Sequence, residues 1–476
     1  MYRLWMNTRY FFKDHKKKLF ILLILVVLAF PVCFFGRIAV EEIDEQLTIR
    51  SFHNMPREDM IEDFEYLMTV LEENWPFFNL SLSANGVDVN ELAANVRTML
   101  HDPQTIIDSP FDFFDIMQVY FYDPIGQLGH LSQYPGHEHF FASLEGVRRD
   151  ISHGAVSTFT RHMNEVLSRQ EAILFYTQLR EAGRGRPVRE WPETAYEFSI
   201  IEPGRVAHIS VNTMIPILTD GWLNRPYPPM WHYERLNYNF VEEIADFGHL
   251  IFDFRGNLGG SPLQFLEFII PQYIHETLVA EGHAFYLGGS YTALAREIFD
   301  VRTAFPAYRQ SLVESYGPEY EETNLSPEDV PFLDTSIPFE HSARLRLIAW
   351  SMSDIYEYGR GMGGDRPEAL FDGKIWILTD GQTASAAEYA VFLLGQDENI
   401  TIVGEPTMGL FGTQLLPLRI YLTLPNTGIV VRFDVAYFTD MEGRPLQGYG
   451  LEPQYRPRPG MDALETVLTM IEEGTY

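Results

Sequence analysis

Apolar and polar positions along this chain follow a helical period first and a strand pattern later. In "REDMIEDFEYLMTVLEENWPFFNL", residues 57–80, the apolar positions Met60, Ile61, Phe64, Leu67, Met68 and Leu71 recur at the spacing of one helix face, with acids opposite. "VNELAANVRTML" and "HMNEVLSRQEAILFYTQLREAG" repeat that pattern, so residues 37–195 are expected to form an α-rich domain. The character then changes. "RVAHISVNTMIPI" and "GHLIFDFRGNLGG" are short β-branched runs of the kind that make buried strands, and each leads into a loop. A strand, a Gly-bearing turn and a helix recur in "KIWILTDGQTASAAEYAVFLL", and the strand "ITIVGEP" follows. Repeated units of this kind predict an α/β sheet with its sites at strand ends, over residues 196–476. Between the units, residues 275–365 read as a helical insertion bearing Pro and Glu. Near the end, "LRIYLTLPNTGIVVRFDVAYFTD" reads as a hairpin around Asn426-Thr427-Gly428.

Residues Leu19–Phe35 form a 17-residue uncharged apolar run behind "KDHKKK", at the short end of what spans a bilayer. Lys16, Lys17 and Lys18 hold residues 1–18 in the cytoplasm, which puts everything after the span outside. No small-x-small cleavage site follows, so an uncleaved single-pass anchor over 19–36 is expected, with the lipid bilayer as its partner.

Charge divides at the same place. Residues 1–36 carry six Lys/Arg against one Asp, a net of +5, which leaves −36 of the total −31 on the remainder. A region so acidic repels nucleic acid and anionic lipid, and DNA binding is excluded. The single cysteine, Cys33, lies inside the apolar run, so the rest of the chain has no disulfide, no cysteine zinc site and no thiol nucleophile.

Two loops carry candidate chemistry. "DFRGNLGG", Asp253–Gly260, follows a strand and precedes a helix. It matches no nucleotide-binding pattern, and reads either as a tight turn or as a pair of amide donors for a transient oxyanion. Ser385 is a helix cap by its S-x-x-E pattern with Glu388. It is also a candidate nucleophile, because a serine at the first turn of a helix is held rigidly with the next amide, that of Ala386, aimed at the same point. Small neighbours at Ala384, Ala386 and Ala387 would let a carbonyl approach. Such a serine needs a base. Of five lysines, four precede residue 19, and Lys374 sits at the far end of its strand. Histidine is the substitute among 14 candidates. His137 and His139 in "PGHEHFF" read as a surface loop rather than a metal pair, and His249 as structural. His130, in the Gly-flanked "QLGHLSQY", is one candidate among several.

The strings "LIFDFRGNLGG", "ILTDGQTASAAEYAVFLL", "ITIVGEPTMGLFG" and "LQGYGLEPQ" occur in the order and spacing of the C-terminal processing (tail-specific) serine peptidases. The chain resembles that superfamily over about residues 200–265 and 370–460. The resemblance implies a ClpP/crotonase-like core. The tail-specific branch has a lysine 25 residues after the serine, where this chain has Leu410, and no segment reads as a PDZ module. The core also resembles the tricorn branch, whose base is a histidine from the domain upstream; "LGHLSQY" is similar to its turn, which implies that role for His130. That branch orients its machinery with a glutamate in E-x-x-G-x-x-P. The matching "QGYGLEP" has Gln447 there, and Glu442, five residues earlier, is the candidate to compensate.

These readings combine into an expectation: a membrane-anchored, extracytoplasmic serine peptidase acting on polypeptides without metal or cofactor. Ser385 would be the nucleophile and His130 the base, with Gln447 and Glu442 orienting them. Ala386 and Gly259 or Gly260 would hold the oxyanion. Two rivals stand beside it: a peptide-binding or scaffolding protein on the same fold, suggested by Gln447 and the absent lysine, and an acyl-thioester enzyme. The sequence is silent on oligomeric state.

Overall fold

The computed structural model describes residues 52–476, except 127, 153, 155–156, 186–191, 215–229, 263–264, 303–319, 336, 350, 352–370 and 412–418. The segments 1–18 and 19–36, expected to be a cytoplasmic tail and an anchor, lie outside the described residues. Among those described, no helix is long and apolar enough to cross a membrane.

Helical periods in the first part become helices. Arg57–Asn74 buries Met60, Phe64, Leu67, Met68 and Leu71, the face read from its spacing. Val89–His101 starts at Asp88, whose carboxylate accepts from the amides of Asn90 and Glu91. Thr158–Leu167 and Gln170–Glu181 follow. His137 and His139, expected in a surface loop, begin the helix His137–Ser152 instead. Phe140, Leu144 and Val147 supply its buried stripe, and that apolar spacing carries the two histidines into the helix.

The strands in chain order are β1 (Ser132–Gln133), β2 (Tyr196–Glu202), β3 (Val206–Val211), β4 (His249–Asp253), β5 (Leu278–Tyr286) and β6 (Tyr320–Thr323). They continue with β7 (His341–Ala349), β8 (Lys374–Thr379), β9 (Ile400–Gly404), β10 (Arg419–Thr423), β11 (Val430–Asp434) and β12 (Ala436–Asp440). Five form a sheet in the order β2-β3-β4-β8-β9, antiparallel at β2–β3 and parallel elsewhere. β4 and β9 are buried at every position, as continuous apolar runs require when both faces of a parallel sheet are covered. The helix Ala463–Glu473 covers one face, its Val467, Met470 and Ile471 packing with Val206, Ile251 and Trp376. The helix Ala386–Leu394 also packs on β5 and β7, and only Phe392 of it is not fully buried.

The described residues of the span 275–365 do not form the helical insertion expected. Its β5, β6 and β7 join β12 in an antiparallel sheet ordered β12-β5-β7-β6, and Ser290–Arg302 is the long helix among its described residues. Cross-strand partners decide this. Arg346 of β7 stands opposite Glu281 of β5 and donates to its carboxylate at 2.7 Å, and such pairs outweigh the helix preference of the Glu, Ala and Leu in these runs.

The hairpin around Asn426-Thr427-Gly428 forms from β10 and β11. Its turn is held by Asp63 of the first helix, whose carboxylate accepts from the amides of Asn426 (2.9 Å) and Thr427 (2.7 Å) and from the Thr427 hydroxyl (2.6 Å). β1 pairs with β11, Ser132 opposite Arg432, so the chain just after His130 is fixed against the strand that ends at Asp434.

Candidate active site

Two loops at strand ends are stitched into one unit. The turn after β8 carries Asp380, whose carboxylate accepts from the Gly256 amide at 3.0 Å. Asn257 is fully buried: its carbonyl accepts from the Ala384 amide at 2.9 Å, and its side-chain amide donates to Val211 at 2.7 Å. Gly259, at φ 90°, lies against the serine turn so closely that a Cβ there would stand 2.7 Å from the Ala384 carbonyl and 2.9 Å from the Ala386 nitrogen. At Gly260 a Cβ would run into the Met214 carbonyl. Both positions therefore demand glycine.

Ser385 heads the helix Ala386–Leu394 at φ 56° and ψ −117°, not in the extended conformation of an ordinary cap. The S-x-x-E box is nonetheless present, and Glu388 accepts from the Ser385 amide at 2.8 Å. Both readings of this serine therefore hold together: it caps the helix, and a strained strand-to-helix turn presents its hydroxyl. Ala384, Ala386 and Ala387 are all fully buried. The Gly259 loop seats on the backbone of this turn, against the Ala384 carbonyl and the Ala386 nitrogen.

His130 reaches the serine from the helical part. Gly129 and His130 both have left-handed backbones, φ 55° and 51°, and Gly129 rests on the aromatic pair Trp75 and Phe77. That turn places His130 Nε2 3.3 Å from the Ser385 Oγ. The other ring nitrogen, Nδ1, lies 2.6 Å from the Asp434 carboxylate. A carboxylate only accepts, so Nδ1 carries the proton and Nε2 presents its lone pair to the hydroxyl. Burial holds the His130 imidazole below its ordinary pKa, and nearby Arg419 adds to this against the pull of Asp434. At Asp434 burial pushes upward, but His130, Arg419 and Arg432 hold the carboxyl below its usual range; the Arg419 Nε is 3.6 Å from Oδ1.

Gln447 is brought to this cluster, with no hydrogen bond to the serine or the imidazole among the described residues. Its Nε2 donates to Asp434 at 3.3 Å, while its Oε1 accepts from the Phe438 amide at 2.8 Å, which fixes the amide's orientation. This accounts for a glutamine at the position where the resemblance implied glutamate. The carboxylate stands on β11 instead, and its neighbour must donate. Glu442 is not brought to the site: it lies in an exposed turn and pairs with Arg444, so it cannot compensate for anything here. Lys374 sits at the opposite end of β8 from the serine turn, its Nζ 3.4 Å from the Glu398 carbonyl.

Among the oxyanion candidates, the Gly259 amide is already committed to the Asn257 side chain at 2.9 Å. The amides of Gly260 and Ala386 have no such bond among the described residues. No group of three metal-binding side chains occurs among the described residues.

Asp434, Asn257 and the second role of Glu388 were not singled out in the sequence. For Asp434 a signal exists: it is the one acid inside the apolar alternation "GIVVRFDVAYF", and a carboxylate at a core position needs a partner. Nothing local points from it to a histidine 304 residues away.

Residues 232–456 match the family described as Peptidase family S41. Among solved structures, the chain is similar to a candidate peptidase from Parabacteroides merdae at 16% identity, covering 87% of this chain and 96% of that one, with a TM-score of 0.46. A CPAF mutant matches at 12% identity over 88% of this chain and 96% of that one, TM-score 0.47. A lipoprotein from Streptococcus agalactiae matches at 12% identity over 87% and 96%, TM-score 0.40. No curated protein matches the chain.

Proposed function

We propose that this chain, a serine-type peptidase through its S41 region, works with a histidine base and an aspartate behind it. The observation that carries the reading is the continuous line Asp434–His130–Ser385, at 2.6 and 3.3 Å. In it, His130 takes the hydroxyl proton as the Ser385 oxygen bonds to the scissile carbonyl carbon. The amides of Gly260 and Ala386 hold the oxyanion, each such donor contributing about 2.7–4 kcal/mol to lowering the barrier. His130 then gives its proton to the departing amine as the C–N bond breaks. Water, deprotonated by the same imidazole, releases the acyl group and restores the serine. The substrate is a polypeptide.

The apolar run 19–36 supports a further part of the proposal, a single-pass anchor with the peptidase on the extracytoplasmic side. The test uses the full chain in detergent with an unfolded polypeptide as substrate and a fluorophosphonate as probe. Ser385→Ala is expected to abolish both hydrolysis and labelling. Hydrolysis that survives Ser385→Ala overturns the mechanism, and a native chain that neither cleaves nor labels returns the reading to a peptide-binding protein on this fold. Protease accessibility of the large domain in intact cells tests the orientation.

A further inference from the structure

Glu388 is a buried acid at the site that the proton path does not use. It is fully buried, and burial pushes its carboxyl up to about 7 against the donors that surround it. A cap residue needs one oxygen on the Ser385 amide. Glu388 spends its second oxygen elsewhere, accepting from the Thr407 hydroxyl at 2.5 Å and the Gly409 amide at 2.7 Å. The Thr407 hydroxyl accepts in turn from the Leu451 amide at 2.7 Å.

Followed onward, these bonds close on themselves. The Gly409 carbonyl accepts from the Gly448 amide at 2.7 Å. Gly448 adjoins Gln447, which donates to Asp434, and Asp434 holds His130 against the Ser385 hydroxyl. A ring therefore runs from the backbone of the serine, through Glu388 and the segments 407–409 and 447–448, to the aspartate and back to the serine's own side chain.

We infer that Glu388 is a positioning residue, closing a hydrogen-bonded ring that sets the separation between Ser385 and the His130–Asp434 pair. This rests on the proposed hydrolytic reading and extends it to a residue that touches no reacting atom. Each Glu388 oxygen faces donors, so a glutamine, with one acceptor and one donor end, opens the ring at one side or the other.

The experiment compares Glu388→Gln, Gln447→Ala and the double variant in the full chain. It measures kcat, KM, and the rate and final stoichiometry of fluorophosphonate labelling. Glu388→Gln is expected to lower kcat and the labelling rate about 10²-fold, the scale of an ångström's misplacement, while KM and final stoichiometry stay near wild type. Because either change opens the same ring, the double variant is expected to be no slower than the worse single one. Multiplicative losses, or an unchanged labelling rate, overturn the inference; so does reduced stoichiometry at wild-type rate, which means only lost folded protein. If Glu388→Gln does not fold, Thr407→Val removes one bond to the same oxygen and is read the same way. The downfield proton resonance of the His130–Asp434 bond separates this inference from the hydrolytic reading. If the native chain is unreactive yet that resonance moves in Glu388→Gln, the positioning role stands and the peptidase reading falls. A resonance that does not move removes the positioning role.

Discussion

His130 and Ser385 are the two non-glycine residues with positive φ among those described, at 51° and 56°, and their side chains meet at 3.3 Å. Such backbones cost about 1–3 kcal/mol each and persist where their surroundings over-determine them. Here the surroundings are identifiable. Trp75 and Phe77 seat the turn before the histidine, and Glu388 grips the amide of the serine.

Gly129→Ala tests that seat. A Cβ at Gly129 would lie 2.6 Å from the Trp75 Nε1 and press into the Phe77 ring, at a φ that alanine disfavours. The turn must shift, and His130 shifts with it. The expected outcome is a fall in kcat/KM of about 10²-fold, while circular dichroism still reports the native fold.

The pH dependence follows from the imidazole. In the proposed mechanism its neutral form is the base, and burial lowers its pKa from 6.5, so kcat/KM should be full above that value and fall on an acid limb lying below it. Asp434→Asn removes the partner of the imidazolium and the acceptor that fixes the tautomer. The limb should move further down, and the plateau should drop by about 10⁴-fold. A pH–rate profile of both proteins checks the two shifts together.

Gln447→Glu restores the residue that the family resemblance implied, and the expectation is loss rather than gain. The new carboxylate would face Asp434 across the 3.3 Å now bridged by a donated hydrogen bond. Two carboxylates that close share a proton, and mutual repulsion raises the pKa of one of them. Both are ionised above pH 5 in the unfolded chain, so the folded-state pKa exceeds the unfolded one and stability is lost as pH rises. Denaturation midpoints from pH 4 to 8 should fall increasingly below those of the wild type.

Asp63→Ala tests the link between the first helix and the hairpin. Three donors, the amides of Asn426 and Thr427 and the Thr427 hydroxyl, would lose their acceptor in a buried place. The expected loss is about 2–4 kcal/mol in urea unfolding, with Asp63→Asn between the two.

How far the sequence could be read depended on whether partners were local. The helix face at Met60–Leu71, the buried strand His249–Asp253 and the Asn426-Thr427-Gly428 hairpin are set by spacing within a few residues, and they formed as expected. β5 and β7 were misread because their partners lie some sixty residues apart and helix-forming residues fill both. The same limit hid Asp434. Ser385 and His130 carry turn signals of their own, glycine and small residues on either side, whereas the aspartate is an ordinary strand residue until its strand is placed beside β1. Gln447 is intelligible only once that aspartate is known, because its task is to donate to it.

The sheet of β1, β10 and β11 brings the imidazole and its aspartate; the sheet that holds β4 and β8 brings the alcohol and the amides. The proposed proton transfer therefore requires two sheets to keep register. At 3.3 Å the hydroxyl and imidazole stand at the loose limit of a hydrogen bond, so a few tenths of an ångström of approach engages them and the same retreat uncouples them. On the proposed mechanism, a substrate that draws the two sheets together would close that gap, much as a clutch plate is closed by the load it drives.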